Sequence, residues 1–258
     1  MKISIFVTLM FLSVLLFSNF SSGAEAIKID FEDGKTDGWE FIDDETAKPK
    51  GPSKWEIRDG KLDGKSLYQG SNIWGNAPPS KGTGKEDSCL LGTYAIYQGK
   101  DFTDFTMEMD VFAADNDGMG IVWGFTGQDK HHRVIMINDK WPSPALDKVG
   151  GPFMKLQQRV GPEEPWYKII EVVKDDYKPY AEGKRLHWTL SVINGEAKFK
   201  REDGLSISAT VGRTTGKVGI QLYAQQADFD NIVITPSTVA VDARGKLATA
   251  WSSIKSSQ

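Results

Sequence analysis

The chain has 258 residues, with 31 Lys and Arg against 35 Asp and Glu and a formal net charge of −4. No basic block breaks that near-balance, which excludes the electrostatic footprint of a nucleic-acid binder. Its one cysteine, Cys89, has no partner for an intramolecular disulfide and no neighbouring His or Arg in the sequence to activate it, so it reads as a buried, inert thiol and stability must come from the core.

At the N-terminus Met1-Lys2 precedes an apolar run from Ile3 to Phe17, followed by SNFSSGAEA, where Ala24-x-Ala26 offers a small-residue cleavage site. This is the pattern of a signal peptide over residues 1–26, and the apolar run falls short of the ~20 residues a membrane span needs. The expectation is a secreted or periplasmic protein without a membrane span, its mature chain beginning near Glu25 or Ile27. What remains is enough for one large domain over residues 27–236 and a C-terminal tail over 237–258.

Along that domain nearly every segment alternates with period two between turn residues. Ile27 to Phe31 predicts a first strand, and Asp33-Gly34 with Asp37-Gly38 bracket a turn toward Trp39. Asp59-Gly60, between Trp55–Arg58 and Lys61–Leu62, is a hairpin signal of the kind whose central residues need positive φ. Leu90 to Tyr97 predicts another strand. From Phe105 the apolar Met107, Met109 and Val111 point one way, while Thr106, Glu108, Asp110 and Phe112 point the other. Asp115, Asn116, Asp117 and Gly118 then form an acidic turn, and Met119–Phe125 and Arg133–Ile137 supply two further strands. The stretch NDKWPSPALD from Asn138 predicts an ordered loop carrying Trp141.

Phe153–Val160, Tyr167–Val173 and Arg185–Asn194 read as strands, the last with Leu186, Trp188, Leu190 and Val192 as its buried row. Asn194-Gly195 is the strongest hairpin turn in the chain, leading into Ala197–Arg201; Lys217–Tyr223 and Phe229–Ile234 close the sheet. About a dozen short strands and no helix inside the domain imply an all-β sandwich or jelly roll. The tail carries Asp242 as an N-cap with Leu247, Trp251 and Ile254 on one helical face, a candidate short helix.

The run from Asp101 through Arg133, with KLQQRVG, GKRLHWTLSVINGEAKFKREDG and GKVGIQLYAQQADFDNIVI, resembles secreted concanavalin A-like jelly rolls, especially the thrombospondin C-terminal and laminin-G-like groups. The resemblance covers Ile27 to Pro236 and implies a jelly-roll β-sandwich. It is weakly specific for activity, because that fold hosts lectins, adhesion modules, hydrolases and lyases. Related modules often carry an arginine after the apolar strand, where this chain has Gly124.

Three kinds of site follow. Calcium takes six to eight oxygens, and Asp115 with Asp117, Asp228 with Asp230, and Glu32 with Asp33 are the carboxylates offered at turns; the resemblance also implies structural calcium there. Sugars need hydroxyl-binding polar groups beside aromatic rings. Glu108, Asp110, Arg133, Gln157, Arg159, His187 and Tyr223 are the candidates if they share one sheet face, with Trp141 overhanging, for a polysaccharide or glycoconjugate ligand. For catalysis, Glu108-x-Asp110 sets two carboxylates about 7 Å apart along a strand, although the third carboxylate of jelly-roll glucanases is replaced by Phe112. His131 or His132 beside Arg133 would suit a polysaccharide lyase, and His132 is the candidate carried forward; adjacent residues of a strand face opposite sides, so only one of the two can serve. A glycan-binding module, a polysaccharide-degrading hydrolase or lyase, and a protein adhesion module all remain open.

Overall fold

A computed structural model describes residues 25–75, 90–143, 149–162 and 166–237. The expected signal peptide, Cys89 and the C-terminal tail with its expected helix fall largely or wholly outside these described residues.

In chain order the strands are β1 (Ile27–Ile29), β2 (Trp39–Asp43), β3 (Trp55–Asp59), β4 (Lys65–Gln69), β5 (Thr93–Phe102), β6 (Phe105–Ala113), β7 (Gly118–Gly127), β8 (Lys130–Ile137), β9 (Phe153–Arg159), β10 (Tyr167–Val173), β11 (Arg185–Ile193), β12 (Glu196–Arg201), β13 (Ser206–Thr210), β14 (Gly216–Tyr223) and β15 (Ala227–Pro236). They form two antiparallel sheets. The first runs β13-β12-β11-β6-β15-β4-β3 with β1 also on β15, and the second runs β10-β9-β8-β7-β14-β5-β2. This is the all-β jelly-roll sandwich that the alternation predicted.

The core between the sheets is made by alternate residues of each strand, with β15 changing parity across its irregularity between Asp230 and Val233. Met107, Met109 and Val111 of β6, Leu186, Trp188 and Leu190 of β11, and Phe229, Ile232 and Ile234 of β15 meet Ile121 and Trp123 of β7, Val134 and Met136 of β8, and Val218, Ile220 and Leu222 of β14, all buried in one cluster. Full burial of each such side chain contributes about 1.5–3 kcal/mol, so this layer carries the stability that the missing disulfide leaves to it.

Two turns show how local chemistry sets the register. Asn194 and Gly195 take φ of 52° and 80°, and the β11–β12 hairpin closes there as the sequence indicates. The Asp59-Gly60 signal resolves differently. The turn runs from Gly60 to Gly64, Gly60 N–H donates to the Gly64 carbonyl at 3.2 Å, and the positive φ, 79°, belongs to Gly64. Gly60 is glycine for space, since a Cβ there would sit 1.9 Å from Ser66 Oγ. With that turn β4 moves to Lys65–Gln69; elsewhere β5 moves to Thr93–Phe102, β1, β7, β8 and β15 differ by a few residues at their ends, and β2 and β13 were not read as strands.

Candidate functional site

Strand pairing separates the residues that sequence parity had grouped. Asp110 and Glu108 on β6 lie opposite His187 and Thr189 on β11, on the outer face of the first sheet. Arg133, Gln157, Arg159 and Tyr223 belong to β8, β9 and β14, strands of the second sheet. A single face carrying all of them is therefore corrected to two faces on opposite sides of the core. Period two tells which residues of a strand share a face, and says nothing about which sheet the strand joins.

On the first face Asp110 is a saturated acceptor. Arg185 Nη2 donates to Oδ1 at 2.7 Å, His187 Nδ1 lies 2.8 Å from the same oxygen, and Asn231 Nδ2 donates to Oδ2 at 3.0 Å. Burial pushes its carboxyl up, but these hydrogen bonds and the Arg185 charge outweigh burial and hold it below its ordinary value. An ionised, triply bonded carboxylate is a poor general acid. Asp230, opposite Asp110, is buried with Oδ1 unpaired; burial, aided by Glu32, Asp110 and Asp30, raises its pKa to about 6.

The carboxylates proposed for metal do not meet as one cage. β1 does lie on β15, which brings Glu32 into electrostatic contact with Asp230. Asp228, however, is occupied by protein cations and hydroxyls: Arg58 donates from Nε at 3.2 Å and Nη2 at 3.0 Å, Ser66 Oγ at 2.8 Å, and the Arg58 guanidinium lies 3.2 Å from the Tyr68 ring centre. Exposed Asp33 instead caps its own turn, accepting from Lys35 N–H at 2.9 Å. At the Asp115–Gly118 rim the Gln225 amide donates to the carbonyls of Asp115 and Asp117 at 2.7 and 3.2 Å, filling backbone oxygens a cation would use. Burial, then Asp115 and Asp139, push the Asp117 carboxyl up to about 6. Among the described residues no three His, Cys, Asp or Glu side chains stand together as a metal cage.

The outer face of the second sheet is different: it is buried, and polar groups sit there beside apolar clusters around Ile135 and Phe153 and around Ile96 and Val122. Arg133 Nε donates to Gln157 Oε1 at 2.8 Å, its Nη1 donates to the Leu90 carbonyl at 2.8 Å and to Gln221 Oε1 at 2.9 Å, and its guanidinium lies 3.5 Å from the Tyr167 ring centre. His131 shares this face with Arg133, because residues two apart on a strand point the same way. His131 Nδ1 lies 3.4 Å from the Gly127 carbonyl and Nε2 lies 3.0 Å from the Tyr167 hydroxyl. A carbonyl only accepts, so Nδ1 carries the proton and Tyr167 O–H donates to Nε2. Burial first, then the charges of Arg133 and Arg159, drive the His131 pKa well down, which keeps that ring neutral.

His132 takes the other parity and is corrected as a partner of Arg133. Its ring stacks on Trp123 with centroids 5.6 Å apart, and burial lowers its pKa to about 4. Its Nε2 and Thr214 Oγ1 are both unpaired, and both residues line a cavity of about 200 Å3. Gly124 has a φ of 58°, and a Cβ there would meet Thr214 Oγ1 at 2.7 Å, so this position favours glycine. Tyr223 packs beside Leu90, Ile135 and Phe153 on the second sheet's outer face. Trp141 is exposed and lines none of the cavities described here.

The second face opens into a cavity of about 430 Å3 between Asp44, Glu45, Gln128, Asp129, Arg159 and Trp166. The chain leaving β2 forms an Asx turn, with Thr46 N–H and Oγ donating to Asp44 Oδ1 at 3.1 and 3.0 Å. That turn aims Asp44 Oδ2 at Arg159 Nη1, 3.6 Å away. Arg159 Nε donates to the Gly161 carbonyl at 2.8 Å, and its guanidinium lies 5.0 Å from the Trp166 ring centre. Asp44 Oδ2, Arg159 Nη1 and Trp166 Nε1 are each buried without a hydrogen-bond partner. Of these residues the sequence reading named only Arg159. Trp166 follows the prolines of GPEEPW, the same loop signal that drew attention to Trp141, and Asp44-x-Thr46 carries the Asx-turn pattern.

No protein-family model and no curated protein matches the sequence. Among solved structures the chain is similar to a Bacillus subtilis protein of unknown function with a galectin-like fold, at 12% identity and a TM-score of 0.50, over 83% of this chain and 95% of that one. It is also similar to the carbohydrate binding module CBM66 from Bacillus subtilis, at 14% identity and a TM-score of 0.49, over 77% of this chain and 95% of that one. Chicken galectin 2 aligns at 8% identity and a TM-score of 0.39, over 52% of this chain and 92% of that one. At these identities the likeness is one of fold, a galectin-like sandwich.

Proposed function

We propose that this chain is a secreted carbohydrate-binding sandwich whose ligand sits in the pocket of Asp44, Arg159 and Trp166 on the outer face of the second sheet. The observation that carries the reading is the convergence of three buried, unpaired polar atoms, an acceptor and two donors, on one cavity beside an indole ring. A cavity of about 430 Å3 lies in the range of small-molecule sites, and sugars present both the hydroxyls and the apolar CH faces such a lining takes up. The names of the galectin-like and carbohydrate-binding neighbours agree with the proposal without carrying it. A closer kinship with thrombospondin C-terminal and laminin-G-like modules, suggested by the closing strand motifs, belongs to the same proposal, as does export through the N-terminal segment.

Hydrolysis is the second reading, because Asp44 shares its cavity with the carboxylates of Glu45 and Asp129. A glycan array run beside a reducing-sugar assay separates the outcomes. Saturable binding without turnover, weakened at least ten-fold in Trp166→Ala, is the expected result. Turnover makes the chain an enzyme, and silence in both assays refutes the proposal in favour of a protein adhesion module. Structural calcium stays a proposal only for the Asp115–Asp117 rim, where it would have to displace the Gln225 amide and would offset the charges of Asp115 and Asp139, the part of the Asp117 shift that comes after burial.

A further inference from the structure

We infer that the pocket selects neutral sugars over acidic ones, through one ligand hydroxyl that bridges Asp44 and Arg159. The inference rests on the carbohydrate-binding reading and names the ligand class within it. Asp44 Oδ1 is committed to the Asx turn, so Oδ2 is the carboxylate oxygen available to a ligand. Arg159 Nε is committed to the Gly161 carbonyl, and Nη1 is unpaired. The 3.6 Å between Nη1 and Oδ2 is too long for a direct hydrogen bond. One ligand oxygen seated about 2.8 Å from each would bridge that gap.

An atom in that position faces an obligate acceptor on one side and an obligate donor on the other. A hydroxyl donates to Asp44 and accepts from Arg159, satisfying both. A uronate carboxylate oxygen only accepts; it would satisfy Arg159 and press an anionic acceptor against Asp44 Oδ2. Glu45 and Asp129 line the same cavity, and although Lys48 pairs with exposed Glu45 at 2.5 Å and Arg159 with Asp44, the balance among these groups stays negative by the charge of Asp129. Arg133, the other guanidinium of this face, is held by Gln157, Leu90, Gln221 and the Tyr167 ring and does not line the pocket. Trp166 Nε1–H supplies the third unpaired atom, a donor for a second hydroxyl or a ring oxygen.

The test follows the Trp166 indole N–H resonance of the 15N-labelled mature chain, assigned through Trp166→Phe. Matched pairs are titrated: methyl glucoside against methyl glucuronide, methyl galactoside against methyl galacturonide, and methyl mannoside against methyl mannuronide. In the pair that binds, the neutral member should move this resonance with at least ten-fold higher affinity. Asp44→Asn should shrink that ratio, as should Glu45→Gln combined with Asp129→Asn, which leaves the turn untouched. A uronide that binds as tightly as its neutral partner, or a ratio unmoved in both variants, overturns the inference alone. Glycans that bind on the array while the Trp166 resonance stays still also overturn it, by placing the ligand elsewhere. Failure of every methyl glycoside together with a silent array brings down the carbohydrate reading itself.

Discussion

Replacing Asp230 with asparagine should stabilise the protein at neutral pH, an unusual outcome for a buried polar position. Its carboxyl is buried with Oδ1 unpaired, and burial together with Glu32, Asp110 and Asp30 raises its pKa from 3.8 to about 6. An acid whose folded pKa is raised binds more protons folded than unfolded, so stability falls as pH rises from the unfolded value through the folded one. Two pKa units are worth about 3 kcal/mol when integrated to pH 7.5 and about 1 kcal/mol at pH 4.5. Asparagine keeps the shape of the protonated acid and removes the penalty. Urea unfolding of wild type and Asp230→Asn should therefore show the variant ahead by up to about 3 kcal/mol at pH 7.5, with the gap narrowing to about 1 kcal/mol at pH 4.5. Equal stability at pH 7.5 would refute the reasoning. A loss of stability that appears only with added calcium would instead make Asp230 a metal ligand.

Asp228→Ala should be destabilising by about 3 kcal/mol, because it strips both guanidinium hydrogen bonds from Arg58 and leaves buried Ser66 Oγ without its acceptor. Arg58 keeps partial access to water, which holds the loss to the lower end for a broken buried pair; a melting temperature within a degree of wild type would contradict it. If calcium occupies the Asp115–Asp117 rim, millimolar calcium should raise the melting temperature by mass action and excess chelator should reverse it. Asp117→Asn should abolish that response, and a curve indifferent to both additions removes calcium from the account.

The fold was legible because one signal, period-two alternation, governs most of the strands, with register shifts interrupting it in β7, β10, β14 and β15. In β11 the row Leu186, Trp188, Leu190 and Val192 is buried as the spacing requires, and Asn194-Gly195 adopts the positive φ values that its hairpin demands. The site was less legible because it depends on which strands become neighbours. β6 pairs with β11 and β15, while β8 pairs with β7 and β9. Glu108 and Arg133 therefore end on opposite faces although each reads as polar and outward on its own strand. The His131 assignment was within reach, since parity alone puts it with Arg133. Asp44 was not, because its role comes from a turn that carries it to Arg159, a residue 115 positions later in the chain.

The two faces also differ in what they leave undone, and that difference favours the second as the working surface. On the first, Asp110 and Asp228 are saturated by Arg185, His187, Asn231, Arg58 and Ser66, so a ligand would have to displace bonds already made. The other unpaired buried atoms are more scattered: the indole nitrogens of Trp123 and Trp188 stand in core packing, Asp230 Oδ1 on the first face, Arg133 Nη2 on the second, and His132 Nε2 with Thr214 Oγ1 at the smaller cavity. Around Asp44 three converge on one cavity. Each unmet buried group costs the folded state about 1–3 kcal/mol, and a hydroxyl-rich ligand that meets them recovers part of that sum on binding. Because the Asx turn at Thr46 and the Gly161 carbonyl already hold Asp44 and Arg159 in place, little ordering is left to oppose the gain. A pocket so arranged binds by completing hydrogen bonds the fold has positioned and left open, and its selectivity follows from their donor and acceptor order.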